Sequence, residues 1–171
     1  MPNAKRKGNK FERAVAKFFT TWTGFEFART PGSGSYHSNK DLTSDVSCID
    51  EKHAHRCKIN IECKSYKDIR FEQLMLTKFR KHCKILEFWE QACRDAERSN
   101  RVPILCMRYN SMPSDEFFFV VDERLAIGTT DMQCMCLTLK DSLNLFIFLA
   151  SEIKNNIEYK HIHKLAKAAL R

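Results

Sequence analysis

The spacing of apolar side chains changes period several times along the chain, and each change marks an element. Phe11, Val15, Phe18 and Trp22 recur at helical intervals between Asn9, which reads as an N-cap, and Gly24, which reads as the residue past a helix end. Phe25 to Thr30 then alternates apolar and polar as a strand does, until Pro31-Gly32-Ser33-Gly34-Ser35 breaks the pattern and a polar loop runs to Ser44. A short strand follows at Asp45 to Ile49, then a charged connection from Asp50 to Arg56. A clearer strand spans Lys58 to Lys64, with Ile59, Ile61 and Cys63 on one face and Asn60, Glu62 and Lys64 on the other.

From Phe71 to about Arg98 the apolar positions fit one long helix. Val102–Arg108 and Phe117–Val121 read as two strands, and the Phe117-Phe118-Phe119 run as a strand buried on both faces. Met135 to Leu139 predicts a short strand, with the thiols of Cys134 and Cys136 in the core. Leu143, Phe146, Ile147, Ala150 and Ile153 predict a further helix, and the basic tail from Ile157 is helical as well. The resulting order, helix–three strands–helix–strands–helix, predicts a mixed α/β fold with a central sheet flanked by helices.

Length and composition narrow the class. The 171 residues suit a single domain, and a 43% hydrophobic fraction with 13 Phe can fill a core, which excludes disordered and collagen-like chains. The start of the chain carries no apolar stretch of the secretory kind. The longest apolar run, Leu145 to Ala150, is far below the ~20 residues of a membrane span. An intracellular protein with reduced cysteines is the expectation, cytoplasmic or nucleoid-associated and without a membrane partner. The net charge is +8, with +5 in residues 1–31 and +4 in residues 154–171, so the body between is almost neutral. Two basic ends on a neutral body point to a nucleic-acid backbone, with Lys5, Arg6, Lys7 and Lys10 as first candidates for phosphate contact.

Candidate chemistry gathers around Asp45 and Glu62-Cys63-Lys64. Glu62 and Lys64 share a strand face, and Asp45 on the preceding strand can lie beside Glu62. Two adjacent carboxylates repel unless a cation or proton lies between them, and hard oxygen donors of this kind suit Mg²⁺ or Mn²⁺. The arrangement resembles the PD-(D/E)XK nuclease superfamily, and within it the archaeal and phage Holliday-junction resolvases. Lys7-Gly8-Asn9-Lys10-Phe11-Glu12-Arg13 matches their Lys-Gly-x-x-x-Glu-Arg start. Arg29 and the Ser/Gly-rich loop to Ser35, the strand Asp45 and Glu62-x-Lys64 follow in order, over roughly residues 7–110.

The resemblance implies a restriction-endonuclease-like core of about residues 7–121, with residues 122–171 as a C-terminal extension ending in a basic helix. It also implies a phosphodiester hydrolase with one or two divalent ions held by Asp45, Glu62, the carbonyl of Cys63 and Glu12. Lys64 would orient or help deprotonate the attacking water, with its own pKa lowered by the ions. Arg29 and the Ser33 and Ser35 hydroxyls would grip flanking phosphates, and Gln73 at the head of the long helix would face the site. Branched DNA with four arms would be the substrate and a two-fold homodimer the working form, and a phage or viral origin fits.

Alternatives stand beside these assignments. Asp41 is a substitute for Asp45, and Glu12 three residues after Asn9 could be a capping-box residue. Cys48, His53, His55 and Cys57 could hold zinc, although their spacing matches no common zinc knuckle. A related nuclease acting on duplex, flap or single-stranded DNA, or a basic DNA-binding protein without catalysis, would carry the same charge pattern.

Overall fold

The computed structural model describes residues 4–30, 43–75, 83–126, 132–138 and 143–171. The first helix, α1, runs Ala4–Thr23 and buries Phe11, Val15, Ala16 and Phe19. It begins well before Asn9, which is therefore an interior helical residue and no cap. The turn ahead of Asn9 is rich in Ala, Lys and Arg, which favour a helix. The other end falls where the sequence puts it: Gly24 adopts a φ of 75°, and its N–H donates to the Thr20 carbonyl at 3.0 Å.

Seven strands follow among the described residues: β1 (Phe27–Arg29), β2 (Val46–Cys48), β3 (Ile59–Tyr66), β4 (Val102–Tyr109), β5 (Phe118–Asp122), β6 (Cys134–Thr138) and β7 (Asn144–Leu149). The further α-helices are α2 (Glu72–Met75), α3 (Lys84–Arg98), α4 (Glu123–Ala126), α5 (Ala150–Asn156) and α6 (Tyr159–Ala169). The strands form one sheet in the order β1-β2-β3-β4-β5-β7-β6. Strands β3 and β4 pair in parallel, because the segment between them crosses over the sheet through α3, whereas the other described pairs are antiparallel. The fold is mixed α/β, with a restriction-endonuclease-like core, as the resemblance implies.

The period of two in β4 divides the interior. Ile104 and Cys106 join α1, Ile59, Ile61, Phe119 and α6 on one face of the sheet. Leu105 and Met107 join Ile85, Phe88, Trp89 and Ala92 of α3 on the other. Phe117 and Phe119 sit in the first of these clusters and Phe118 packs against the second, so the phenylalanine run is core on both sides.

Three expectations change. The helix predicted from Phe71 to Arg98 is two helices: Cys83, just before α3, has an extended backbone, with φ −77° and ψ 108°. Leu74 of α2 and Ile85 of α3 nevertheless enter one cluster, so the apolar rhythm carries across the break. The helix predicted over Leu143 to Ile153 is strand β7 followed by α5. Its buried apolar run lies between β5 and β6, and a strand packed on both faces shows no alternation to separate it from a helix. Cys134 and Cys136 lie on the terminal strand β6 and are exposed, not in the core. Residues from 122 onward supply β6, β7 and the core residues Ile153 and Ile162, so they belong to the same sheet and core.

Two substitutions test this packing. Phe19→Ala, at a fully buried ring, should lower unfolding stability in urea by about 3–5 kcal/mol. Gly24→Ala, which forces a Cβ into a left-handed backbone, should cost about 1 kcal/mol.

Candidate active site

One end of the β1–β2–β3 edge is where the charged residues meet. Asp45, just before β2, is clamped to β3 at two points: its N–H donates to the Ile61 carbonyl at 3.0 Å, and its Oδ2 accepts the Cys63 N–H at 2.9 Å. The carboxylate thus takes the place of the next strand residue in the ladder. Thr30 N–H donates to the Asp45 carbonyl at 2.9 Å, which brings the end of β1, and with it Arg29, to the same corner.

The polar face of β3 lies against α3, and the two elements are matched in register. Asn60 donates to Thr43 Oγ1 at 2.8 Å and reaches Ser99 and the Asp95 carbonyl. Glu62 Oε1 accepts from Gln91 Nε2 at 2.8 Å and from Lys64 Nζ at 2.6 Å. Lys64 in turn lies 5.6 Å from the centre of the Phe88 ring. Each two-residue step along β3 meets one turn of α3, at Ser99 with Asp95, then Gln91, then Phe88.

Burial sets the electrostatics. Glu62 is 2% exposed. Desolvation, reinforced by the charge of Asp45 and opposed by Lys64, pushes its carboxyl up to about 7. For Lys64, burial acts to lower the pKa, but the charge and hydrogen bond of Glu62, with Asp45 behind them, outweigh it and raise it. The lowering that the resemblance implies for Lys64 is an effect of bound ions and stands apart from this arrangement of protein charges. Lys64 is a firm cation, and Glu62 is the group poised near neutrality. The Cys63 thiol is pushed well up by burial and by Cys106, Asp45, Glu62 and Glu12, so it stays protonated and leaves only backbone atoms for binding.

Glu12, on the inner side of α1, forms an ion pair with Arg29. A capping-box role is excluded by Asn9 lying inside the helix. Each of the three carboxylates commits one oxygen: Glu62 Oε1 to Lys64 and Gln91, Asp45 Oδ2 to Cys63, Glu12 Oε2 to Arg29. Among the described residues no hydrogen bond uses the other oxygen of any of them. As they stand, no three His, Cys, Asp or Glu side chains among the described residues close on one point. The donor set still fits a hard divalent cation: carboxylate oxygens only, one deeply buried, with burial and mutual repulsion holding a proton on it up to about pH 7.

The remaining predicted residues fall differently. Arg6, Lys7 and Lys10 are on α1 and exposed; of Lys5 only the helical backbone is described. Ser33, Ser35 and Asp41 lie outside the described residues. Gln73 is on the four-residue α2, and the glutamine bonded to Glu62 is Gln91. The sequence carries a signal for it: Gln91 is a polar residue between Phe88 and Ala92 on the apolar side of α3, a position that needs a buried partner. The zinc candidates lie partly together, with Cys48 and Cys57 hydrogen-bonded to each other, but no three of them close on one point among the described residues. His53 stacks on Phe25 at 3.8 Å and bonds the Tyr159 hydroxyl, Cys57 lies near that hydroxyl, and His55 is exposed beside Arg56.

Protein D14 of Escherichia phage T5 is 30% identical over 107 residues, covering 62% of this chain and 64% of D14, so the alignment spans less than two thirds of either. No solved structure matches. No helix among the described residues is long and apolar enough to cross a membrane. A model of the family described as "phage putative PDDEXK endonuclease" matches residues 3–164, from the start of α1 through all seven strands into α6. With this match covering nearly the whole chain, the chain belongs to that phage endonuclease family.

Proposed function

We propose that the protein is a divalent-metal-dependent, structure-selective DNA endonuclease that resolves four-way junctions as a homodimer. The observation that carries the hydrolytic reading is the buried Glu62, held between Lys64 and Gln91 and raised towards neutrality beside Asp45. Asp45, Glu62, the Cys63 carbonyl and Glu12 would hold Mg²⁺ or Mn²⁺. Such an ion, when bound, supplies a Lewis acid that activates water and neutralises charge at the scissile phosphate.

The chain's own residues do the rest. Asp45, locked to the Cys63 N–H, fixes one carboxylate without an entropic search. Gln91 sets the Glu62 rotamer from above and is a positioning residue. Lys64, whose charge both acids sustain in the protein alone, would orient the attacking water or help deprotonate it once an ion engages those acids. Arg29 balances Glu12 and is placed to turn towards a phosphate. Arg6, Lys7 and Lys10, with Lys5, Ser33, Ser35 and Gln73, would contact the backbone flanking the cut. A junction offers two equivalent strands, which a two-fold pair of sites matches. The selectivity for junctions is supported by the Lys7-Gly8…Glu12-Arg13 start and the Arg-plus-Ser/Gly loop.

Glu62→Gln should abolish cleavage of labelled junction DNA in Mg²⁺, by about 10³-fold or more, while DNA binding persists. Surviving cleavage would remove Glu62 from the mechanism. A panel of junction, flap, duplex and single-stranded DNA should yield paired symmetric nicks at the junction; a preference for another member transfers the assignment to a duplex or flap nuclease. Gln91→Ala should lower the rate about 10–100-fold and move the acid limb of the pH–rate profile upward, because Glu62 loses a donor that favours its charged form.

Stability should report the ion as well. The Glu62 carboxyl holds its proton to about 7 in the folded chain but to 4.5 as an ordinary carboxylate. Between those values the folded state binds more protons than the unfolded, so its stability falls as pH rises through that window. The gain in melting temperature from millimolar Mg²⁺ should therefore grow from about pH 5 to about pH 8, and vanish in Glu62→Gln.

A further inference from the structure

Cations on this protein divide into two populations. Those on α3 are each neutralised on their own helix: Lys84 with Glu87 at 2.6 Å, Arg94 with Glu90 at 3.9 Å, Arg98 with Asp95 at 3.3 Å. That is how a helix behaves when its charges serve only solubility. The cations of α1 and α6 do not follow it. Arg6, Lys10, Arg13 and Lys17 recur at i, i+4, i+7 and i+11 on α1, all exposed, and among the described residues none of the four has an ion pair. On α6, Lys160, Lys164 and Lys167 recur at i, i+4 and i+7, and Arg171 follows just past the helix end. Lys160 pairs with Glu158, whereas Lys164, Lys167 and Arg171 are exposed and without an ion pair among the described residues.

The fold joins these two stripes, which stand at opposite ends of the sequence. Trp22 Nε1 donates to the Ile157 carbonyl at 2.7 Å, and the Trp22 and Tyr159 rings lie 5.5 Å apart, so the end of α1 is seated on the start of α6. Both helices bury their apolar sides in the same cluster on the same face of the sheet. Both therefore turn their charged sides outward on that face. At 1.5 Å per residue the stripe on α1 runs about 16 Å and Lys160 to Lys167 on α6 about 10 Å, with successive helical cations about 4.5–6 Å apart along the axis. Glu12, paired with Arg29, lies within the span of the α1 stripe, between Lys10 and Arg13.

We propose that the tail helix α6 is a second DNA-binding element, in which Lys164, Lys167 and the adjoining Arg171 hold the phosphate backbone of DNA beyond the segment gripped by α1. The inference rests on the nuclease reading for the identity of the polyanion. A lipid surface fits less well, because α6 has already buried Tyr159, Ile162 and Ala166 in the protein and has no apolar side left to enter a bilayer. The uncompensated charge is the reason for the choice: unpaired cations held in a row release counterions when phosphates replace them.

The test uses the full chain carrying Glu62→Gln, so that binding is read without cleavage. Affinity for a fluorescent four-way junction is measured against salt concentration, with and without Lys164→Glu, Lys167→Glu and Arg171→Glu together. The slope of log K against log salt should become shallower by about three, with an unchanged thermal midpoint. The corresponding glutamine triple should reproduce the shallower slope, which separates lost contacts from added repulsion. In the chain with Glu62 intact, the triple should raise KM for cleavage and leave kcat at saturating DNA unchanged.

An unchanged slope and affinity in both triples overturns the inference, as does loss of binding to phosphatidylserine vesicles with DNA affinity intact. If the intact chain never cleaves DNA but the triples still flatten the slope, the nuclease reading fails and the tail helix remains a DNA-binding element. If the intact chain cleaves DNA and the slope does not move, the nuclease reading stands and the tail helix is not such an element.

Discussion

Glu62 is a carboxylate that the fold has taken almost wholly out of water, and the local architecture answers to that. An isolated ionised carboxylate in such a place costs several kcal/mol, so the chain surrounds it with compensation. Lys64, two residues on, brings a cation to the same strand face; Gln91 brings a donor from α3; Phe88 offers a ring face to Lys64. The compensation is incomplete because Asp45 adds a second negative charge nearby, and the carboxyl remains raised towards neutrality. A site built for stability alone would place an apolar side chain at residue 62. The unresolved repulsion is what the proposed divalent cation would relieve.

Holding that arrangement requires two neighbours of different kinds. On the β2 side, Asp45 replaces a strand residue in the ladder, so its position is as well defined as backbone. On the α3 side, one helical turn per strand step ties Asn60, Glu62 and Lys64 to successive turns. The apolar face of β3, with Ile59, Ile61 and Cys63, is packed by α1 and keeps the strand from rotating. Alternation along a single strand thus separates two duties, with core on one side and chemistry on the other. A shift of one residue in register would exchange them and destroy both.

How much of this is legible in the chain depends on whether a residue's neighbours lie close in sequence. The β3 strand and its two faces are legible because alternation over Lys58–Lys64 is local. The acidic pair with its lysine is legible because residue type and order suffice to mark it. Gln91 escapes such a reading, which favours Gln73, because the partner of a strand residue on a crossover helix depends on the helix starting at Lys84, and the apolar rhythm hides the break before it. Strand β7 resembles a helix for a related reason. Leu145 to Phe148 are apolar in succession because Leu145 and Ile147 enter the cluster on one face of the sheet and Phe146 and Phe148 the cluster on the other, a fact of layer packing that no window along the chain contains. Asn9 imitates a cap because an asparagine before an apolar rhythm is a common helix start, although the polar turn ahead of it is helical too.

The same separation between local and distant information applies to charge. A count along the sequence finds two basic ends and cannot tell whether they are far apart or adjacent, or whether their cations are already answered. Both answers come from aromatic packing: Trp22, Phe25 and Tyr159 weld the end of α1 to the start of α6, and the apolar stripes of those helices fix which way the cations point. Folding therefore converts a bipolar charge distribution along the chain into a one-sided one in space. On α3, glutamates and aspartates three or four residues away dissipate the charge within the helix. On α1 the sole acid, Glu12, is drawn inward to Arg29 and offers no such relief to the surface row. The positive field on that face is thus a consequence of where one glutamate points, which couples the outer surface of α1 to the corner where the acidic residues converge.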